Sequence, residues 1–286
     1  ADKIFEYNFS EVILKTSSLV YILFFFLLFK INVNIALGSI AFSMLIAFWY
    51  CYKIVGIITL WRLKLSWNFF IEAFRYGLKI NISAIFIVLL LKSNIFFLKQ
   101  FVSIEDVGQY SLALNISDVM YTLPVSIGTI LFPKLSALNS LPDRLLFFSK
   151  TIKNASILIA IINVIAILLS PKIIILFFGT EFSPAVDIFI TLMPFNLVFS
   201  INTLYMQYFA SRGVPSVAIY SPMAALAINV LFNSALIPVS GSIGASISLF
   251  LAVFIMLLFS WRFMENERAY ISMNYCNGKF VKHCQP

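Results

Sequence analysis

Charge is scarce in this chain. Asp, Glu, Lys and Arg make up only 11% of its 286 residues, and twelve are acidic. A soluble domain carries about 25%, so most of this surface is not made for water. There is one histidine, His283, so the commonest general base is missing from the body of the chain. The carboxylates Glu105, Asp106, Glu181 and Asp187 fall in turn-like segments without a buried partner legible in sequence. Cysteine is equally thin: Cys51, Cys276 and Cys284 form no disulfide framework. Cys276, His283 and Cys284 lack a recognised ligand spacing and read as tail residues, not as a metal site. Walker A and dinucleotide fingerprints are both missing. Apolar and polar residues do not alternate as a membrane barrel requires. These absences argue against an enzyme and imply no cofactor and no metal.

What is present is hydrocarbon-compatible sequence. Hydrophobic residues make up 61% of the chain, and the mean hydropathy is +0.98. About eight apolar runs approach bilayer length. They lie near Thr16–Phe29, Ile35–Tyr52, Ile80–Phe101, Val107–Phe132, Ala155–Phe177, Ala185–Phe209, Val214–Pro238 and Ile243–Phe263. Each should be helical, because hydrocarbon offers no partner to a free backbone amide. The expected class is therefore an all-α polytopic membrane protein. The first run is short, at roughly 21 Å; adding Ile31–Val33, with Lys30 snorkelling outward, would complete it.

The net charge of +8 follows from topology. If the first fifteen residues are cytoplasmic and the spans alternate, sixteen cations fall inside and three outside, Lys30, Lys99 and Lys172. Lys92 stays within a span. The positive-inside bias then places both ends in the cytoplasm and makes membrane lipid, not nucleic acid, the partner of the basic surface. Lys53–Lys79 reads as an interfacial loop, with Trp61, Trp67 and five cations suited to headgroups. Lys134–Asn154 reads as a plain polar linker. The connections Val102–Asp106, Ser170–Pro184 and Val239–Ser242 are short, and no extramembrane segment could house its own active site. Pro124, Pro194 and Pro222 fall inside spans, where each frees a carbonyl and bends its helix.

Two charges lie at membrane depth. Lys92 is twelve residues before a turn centred near Ile104, and Asp118 fourteen after it. Antiparallel helices would hold both roughly 18–21 Å below the turn, near mid-bilayer. An unpaired charge there costs about 2.5–3.5 kcal/mol on insertion scales. Either the two pair with each other or they line a hydrated cavity. Asn115, Asp118 and Thr122 share i, i+3, i+7 spacing on the fourth span, and Asn94 adds to the polar face of the third. Among the other intramembrane amides, Asn229 and Asn233, at i and i+4, are the best site candidates. Asn163, Asn196 and Asn202 read as interhelical hydrogen-bonding groups.

Four segments carry a resemblance. They are DVGQYSLALNISDVMYTLPVSIGTILFPKLS (Asp106–Ser136), LFFGTEFSPAVDIF (Leu176–Phe189), YFASRGVPSVAIY (Tyr208–Tyr220) and AINVLFNSALIPVSGSIGASIS (Ala227–Ser248). From Lys79 onward the chain resembles the Wzx-like polysaccharide flippases of the multidrug/oligosaccharidyl-lipid/polysaccharide (MOP) superfamily. Gly108, Tyr110, Asp118 and Pro133 stand where that family shows a glycine–tyrosine entry, a mid-helix acid and an inner proline. At Lys92 the chain has Lys-Ser-Asn where relatives often carry an acidic–basic pair.

The resemblance implies a partial MATE-like architecture, with residues 1–78 as the last two helices of an N-terminal lobe plus an inner loop. Residues 79–263 would form a six-helix C-terminal lobe and 264–286 a cytoplasmic tail; four N-terminal spans of the usual twelve would be missing. The implied function is a flippase moving undecaprenyl-diphosphate-linked oligosaccharide across the bacterial inner membrane, for O-antigen, capsule or exopolysaccharide synthesis. A polysaccharide polymerase and a chain-length regulator are the further partners it suggests. Lys92, Asn94, Asn115, Asp118, Thr122, Asn229 and Asn233 would face cargo or cavity, with Asp118 also the coupling-ion site. Two alternatives stand beside it: a cation-coupled multidrug antiporter of the same superfamily, and a membrane polysaccharide polymerase. The polymerase would be expected to show a large outer loop with arginines, which this chain lacks.

Overall fold

The computed structural model describes residues 2–28, 33–55 and 66–276. Its described regular structure is helical: α1 (Asp2–Leu28), α2 (Val33–Val55), α3 (Trp67–Phe101), α4 (Ile104–Met120), α5 (Thr122–Ala137), α6 (Leu141–Phe178), a 3-10 turn (Thr180–Phe182), α7 (Ser183–Ser211) and α8 (Val217–Cys276). Among the described residues five stretches are long and apolar enough to cross a bilayer, α4 and α5 together forming one. Shorter apolar stretches, Val12–Phe26 and Leu37–Lys53, lie in α1 and α2. The chain is an all-α polytopic membrane protein.

At 60 residues, α8 is too long for one crossing. A straight helix of that length would reach about 90 Å, against a hydrocarbon core of about 30 Å. It bends back at Gly241, where φ is 54° and ψ −130°, a conformation open to glycine. The reversal brings the arms into backbone contact: a Cβ on Gly244 would lie 2.5 Å from the Leu236 carbonyl oxygen. The expected runs Val214–Pro238 and Ile243–Phe263 are thus two arms of one element, with Pro222 and Pro238 inside the helix.

The chain divides into two compact units, residues 1–70 and 71–286. This boundary and the one expected between 78 and 79 both fall inside α3. In the first unit, α1 and α2 form an antiparallel pair. Ser39, Ser43 and Ala47 are buried at i, i+4, i+8 on α2, a small-residue stripe that lets membrane helices approach closely. Ser18 donates to Ser39 at 3.3 Å, and Phe9 meets Tyr50 with ring centroids 5.4 Å apart. Val33 opens α2, so it does not lengthen the first span as expected. Lys30, Ile31 and Asn32 lie outside the described residues, as do Trp61, Arg62 and Lys64.

In the second unit α7 is the most enclosed helix, with α4, α5, α6 and α8 packed around it. One apolar cluster gathers Leu90, Tyr110, Leu192, Phe195 and Leu249. A second gathers Leu135, Phe148, Tyr208, Phe209 and Met264. Outward faces carry Leu168, Phe177 and Leu231, all exposed, as a lipid-facing wall requires.

Helix ends differ from the sequence expectation in one consistent way: helices overrun the apolar runs. The segment Lys53–Lys79, expected to be a loop, is helical from Trp67 onward. Lys134–Asn154, expected to be a polar linker, is non-helical only at 138–140. Pro142 stands at the start of α6, where its missing N–H costs nothing. The tail stays helical to Cys276. Hydropathy marks where lipid ends, whereas the backbone ladder continues into the headgroup layer.

One of the three prolines lies beside a helix break. The fourth span breaks into α4 and α5 at Tyr121, three residues before Pro124, which has no N–H to return to the Met120 carbonyl. Pro194 lies within an uninterrupted α7, and Pro222 within the first arm of α8. The turn at 102–103 and the reversal at 241 share one end of the unit, since Gly241 lies beside Val102. The turns at 138–140 and 212–216 share the other, where Arg144 donates to Ser211 O at 3.1 Å and Leu138 O at 2.6 Å.

Candidate functional site

The sequence-derived site residues separate into two groups. Lys92 on α3, Asn115 and Asp118 on α4, and Thr122 opening α5 are all exposed. No ion pair within 4.0 Å joins Lys92 to Asp118; among the described residues that contact is made by Arg212–Glu267 and Arg268–Glu265. Lys92 is nevertheless near enough for its charge to attract Asp118. Lys92 and Lys99 border a shallow groove of about 270 Å³ floored by Ile95 and Phe96. The result is a polar, uncompensated surface at membrane depth, open on the side away from the core.

Asn94, Asn229 and Asn233 lie elsewhere: each is wholly buried. Asn94 donates to the Tyr110 hydroxyl at 2.8 Å and to the Ala245 carbonyl at 2.9 Å. Its own oxygen accepts from Asn229 at 2.7 Å and Asn233 at 2.8 Å. Asn229 also donates to Ser93 at 2.8 Å. The hub joins α3 to both arms of α8 and to α4. Helix periodicity explains why Asn94 and Lys92 part company: two residues apart on a helix point about 200° away from each other. The carbonyl oxygens of Asn229 and Asn233 have no hydrogen-bond partner.

The amides read as interhelical hydrogen-bonding groups behave in two ways. Asn196 donates to Ser117 O at 3.0 Å and its hydroxyl at 3.1 Å, joining α7 to α4. Asn202 reaches Val253 O at 3.2 Å. Asn163 instead donates within its own helix, to Ile159 O at 2.9 Å.

Sequence reading missed several polar contacts. Thr203 donates to the Tyr121 hydroxyl at 2.8 Å, beside the α4–α5 break. At the 138/212 end, Glu267 accepts from the Tyr208 hydroxyl and from Arg212 at 2.8 Å. Glu267, one of two glutamates near the end of an apolar run, was the available signal for that cluster, but its partners are 55 and 59 residues away. Ser103 caps α4, accepting from Asp106 N at 3.1 Å and donating to the Asp106 carboxylate at 2.8 Å, which accounts for Asp106 as a structural group. Among the described residues no cluster of three or more His, Cys, Asp or Glu could hold a metal; His283 and Cys284 lie outside them.

A family model described as a polysaccharide biosynthesis protein matches residues 6–187. That stretch contains Asp106–Ser136 and nearly all of Leu176–Phe189, and it ends before the two later segments of the resemblance. Among curated proteins, the probable flippase AglR of Haloferax volcanii is 29% identical over 160 residues, 54% of this chain and 33% of the relative. The match thus spans about a third of that relative's length. No solved structure matches.

Proposed function

The chain belongs to the polysaccharide biosynthesis protein family, and from that premise we propose that it forms part of a flippase for lipid-linked oligosaccharide. The finer reading is transport of an undecaprenyl-diphosphate-linked unit from the cytoplasmic to the outer leaflet of a bacterial inner membrane, for O-antigen, capsule or exopolysaccharide. Both ends of this chain would then be cytoplasmic, and a polymerase with its chain-length regulator would take the product.

One observation carries the proposal: Lys92 and Asp118 stand exposed at membrane depth without closing into an ion pair. A purely structural pair would be expected to close, because lipid penalises each open charge. An open cation offsets the cost of bringing a diphosphate into low dielectric. Asp118, with Asn115 and Thr122 on the same side, is the group proposed to bind the coupling ion. Rocking of one lobe against the other would expose this face to each side in turn. The relative's name supports the transport reading.

The test uses the protein in its complete form in cells that depend on it for glycan export. Lys92→Ala should abolish export while the protein still accumulates, and Lys92→Arg should keep part of it, since charge survives but shape does not. If accumulation falls with export in Lys92→Ala, and adding Asp118→Ala restores both, the pair is structural and the proposal fails.

A further inference from the structure

A crevice of about 470 Å³ opens between α3, α5, α7 and the start of α8, within the range of about 300–1,000 Å³ typical of ligand pockets. We propose that it holds one acyl chain of an anionic phospholipid from the leaflet at the 138/212 end. The walls are apolar: Ile80, Ala84, Ile87, Phe132, Met206 and Val214. The two lining hydroxyls are already satisfied. Tyr76 donates to Ala210 O at 3.1 Å and Ser83 to Ala218 O at 2.7 Å. These two bonds staple α3 to α7 and α8 along the crevice and leave the space between them dry in character.

Gln207 is the exception. It packs on Gly128, and its amide has no hydrogen-bond partner among the described residues. One polar group in an apolar crevice suits the ester region of a lipid better than it suits a sugar.

Charge selects the headgroup. Tyr76 and Val214 place the crevice's lower end among the turns at 138–140 and 212–216. Lys79, one residue before Ile80, is exposed there. Arg75 is exposed one turn before Lys79, and Glu72 is the acid on that stretch of α3. The balance is cationic, and basic residues beside a bilayer attract anionic lipid. Ala84 and Ile80 are exposed, so a chain can enter from the side without unfolding anything. The site is separate from the Lys92–Asp118 face and independent of what that face transports.

The experiment is native mass spectrometry of the full chain, purified from micelles containing equal phosphatidylglycerol and phosphatidylethanolamine. One phosphatidylglycerol should be retained per chain. Ala84→Trp, which fills the crevice, should cut retention at least tenfold with helicity by circular dichroism unchanged. Lys79→Gln should lower the phosphatidylglycerol preference about fivefold. Should Ala84→Trp fail to accumulate, Ala84→Leu is expected to give an intermediate loss. Undiminished retention in either Ala84 variant would overturn the site. Equal retention of the two lipids by the unaltered protein would overturn the headgroup assignment, and displacement by an equal concentration of polyprenyl diphosphate would assign the crevice to cargo instead.

Discussion

Replacing Asn94 with alanine should unfold the second unit more readily, by an amount the hydrogen bonds allow one to calculate. The change removes four bonds of 2.7–2.9 Å: two donated, to Tyr110 and Ala245, and two accepted, from Asn229 and Asn233. Interhelical side-chain bonds in membranes average about 0.6 kcal/mol and reach about 1.7. Four of them give about 2.4 kcal/mol. A further contribution comes from Asn233, whose oxygen already lacks a partner and whose amide would lose its bond to Asn94. Asn229 retains Ser93. The expected loss for Asn94→Ala is about 2–4 kcal/mol, against about 1 for Asn229→Ala and near zero for the exposed Asn115→Ala. Reversible unfolding by SDS in lipid–detergent micelles, followed by circular dichroism, measures each. A loss below about 0.5 kcal/mol for Asn94→Ala would refute the hub. So would Asn94→Leu matching the unaltered protein, since leucine keeps the branched shape and discards every bond. A double-mutant cycle between Asn94 and Asn233 should return a coupling of about 0.6–1.7 kcal/mol.

Other expected outcomes follow from the same geometry. Gly244→Ala should destabilise the α8 hairpin by about 1–3 kcal/mol, because its Cβ would meet the Leu236 backbone at 2.5 Å. Gly128→Ala, whose Cβ would meet only the flexible Gln207 side chain at 3.0 Å, should cost less than half as much in the same titration. Arg144→Met should cost about 2 kcal/mol, since a charged donor leaves the carbonyls of Ser211 and Leu138 at two helix ends; unchanged unfolding would show that water replaces it freely. Single cysteines at Ile104 and Ser140 should label from opposite sides of the membrane, Ile104 from outside under the proposed orientation. Labelling of both from one side would break the span assignment.

The spans were legible in the sequence because lipid imposes one rule on every residue of a crossing helix. The helix ends were not. Trp67–Lys79 carries enough charge to look like a loop, yet nothing in it breaks a helix, and it continues into α3. The break at Tyr121 was foreshadowed by Pro124, while Pro194 gives no break in α7. The polar residues were found but not sorted. Asn94 and Asn115 look alike as intramembrane amides, and one is sealed while the other is open. What distinguishes them is which neighbour packs on which face, a tertiary fact. Counting from the turn placed Lys92 and Asp118 on the same level but could not show whether they close into an ion pair, which they do not.

The reversal at Gly241 also bears on how the protein is made. With so few residues to spare between the two arms of α8, the ribosome delivers both into the membrane almost together. The two apolar arms can thus enter as one hairpin. Lengthening this turn should therefore delay insertion even where the finished protein tolerates the extra residues, an effect visible in pulse-labelling and invisible in the unfolding midpoint.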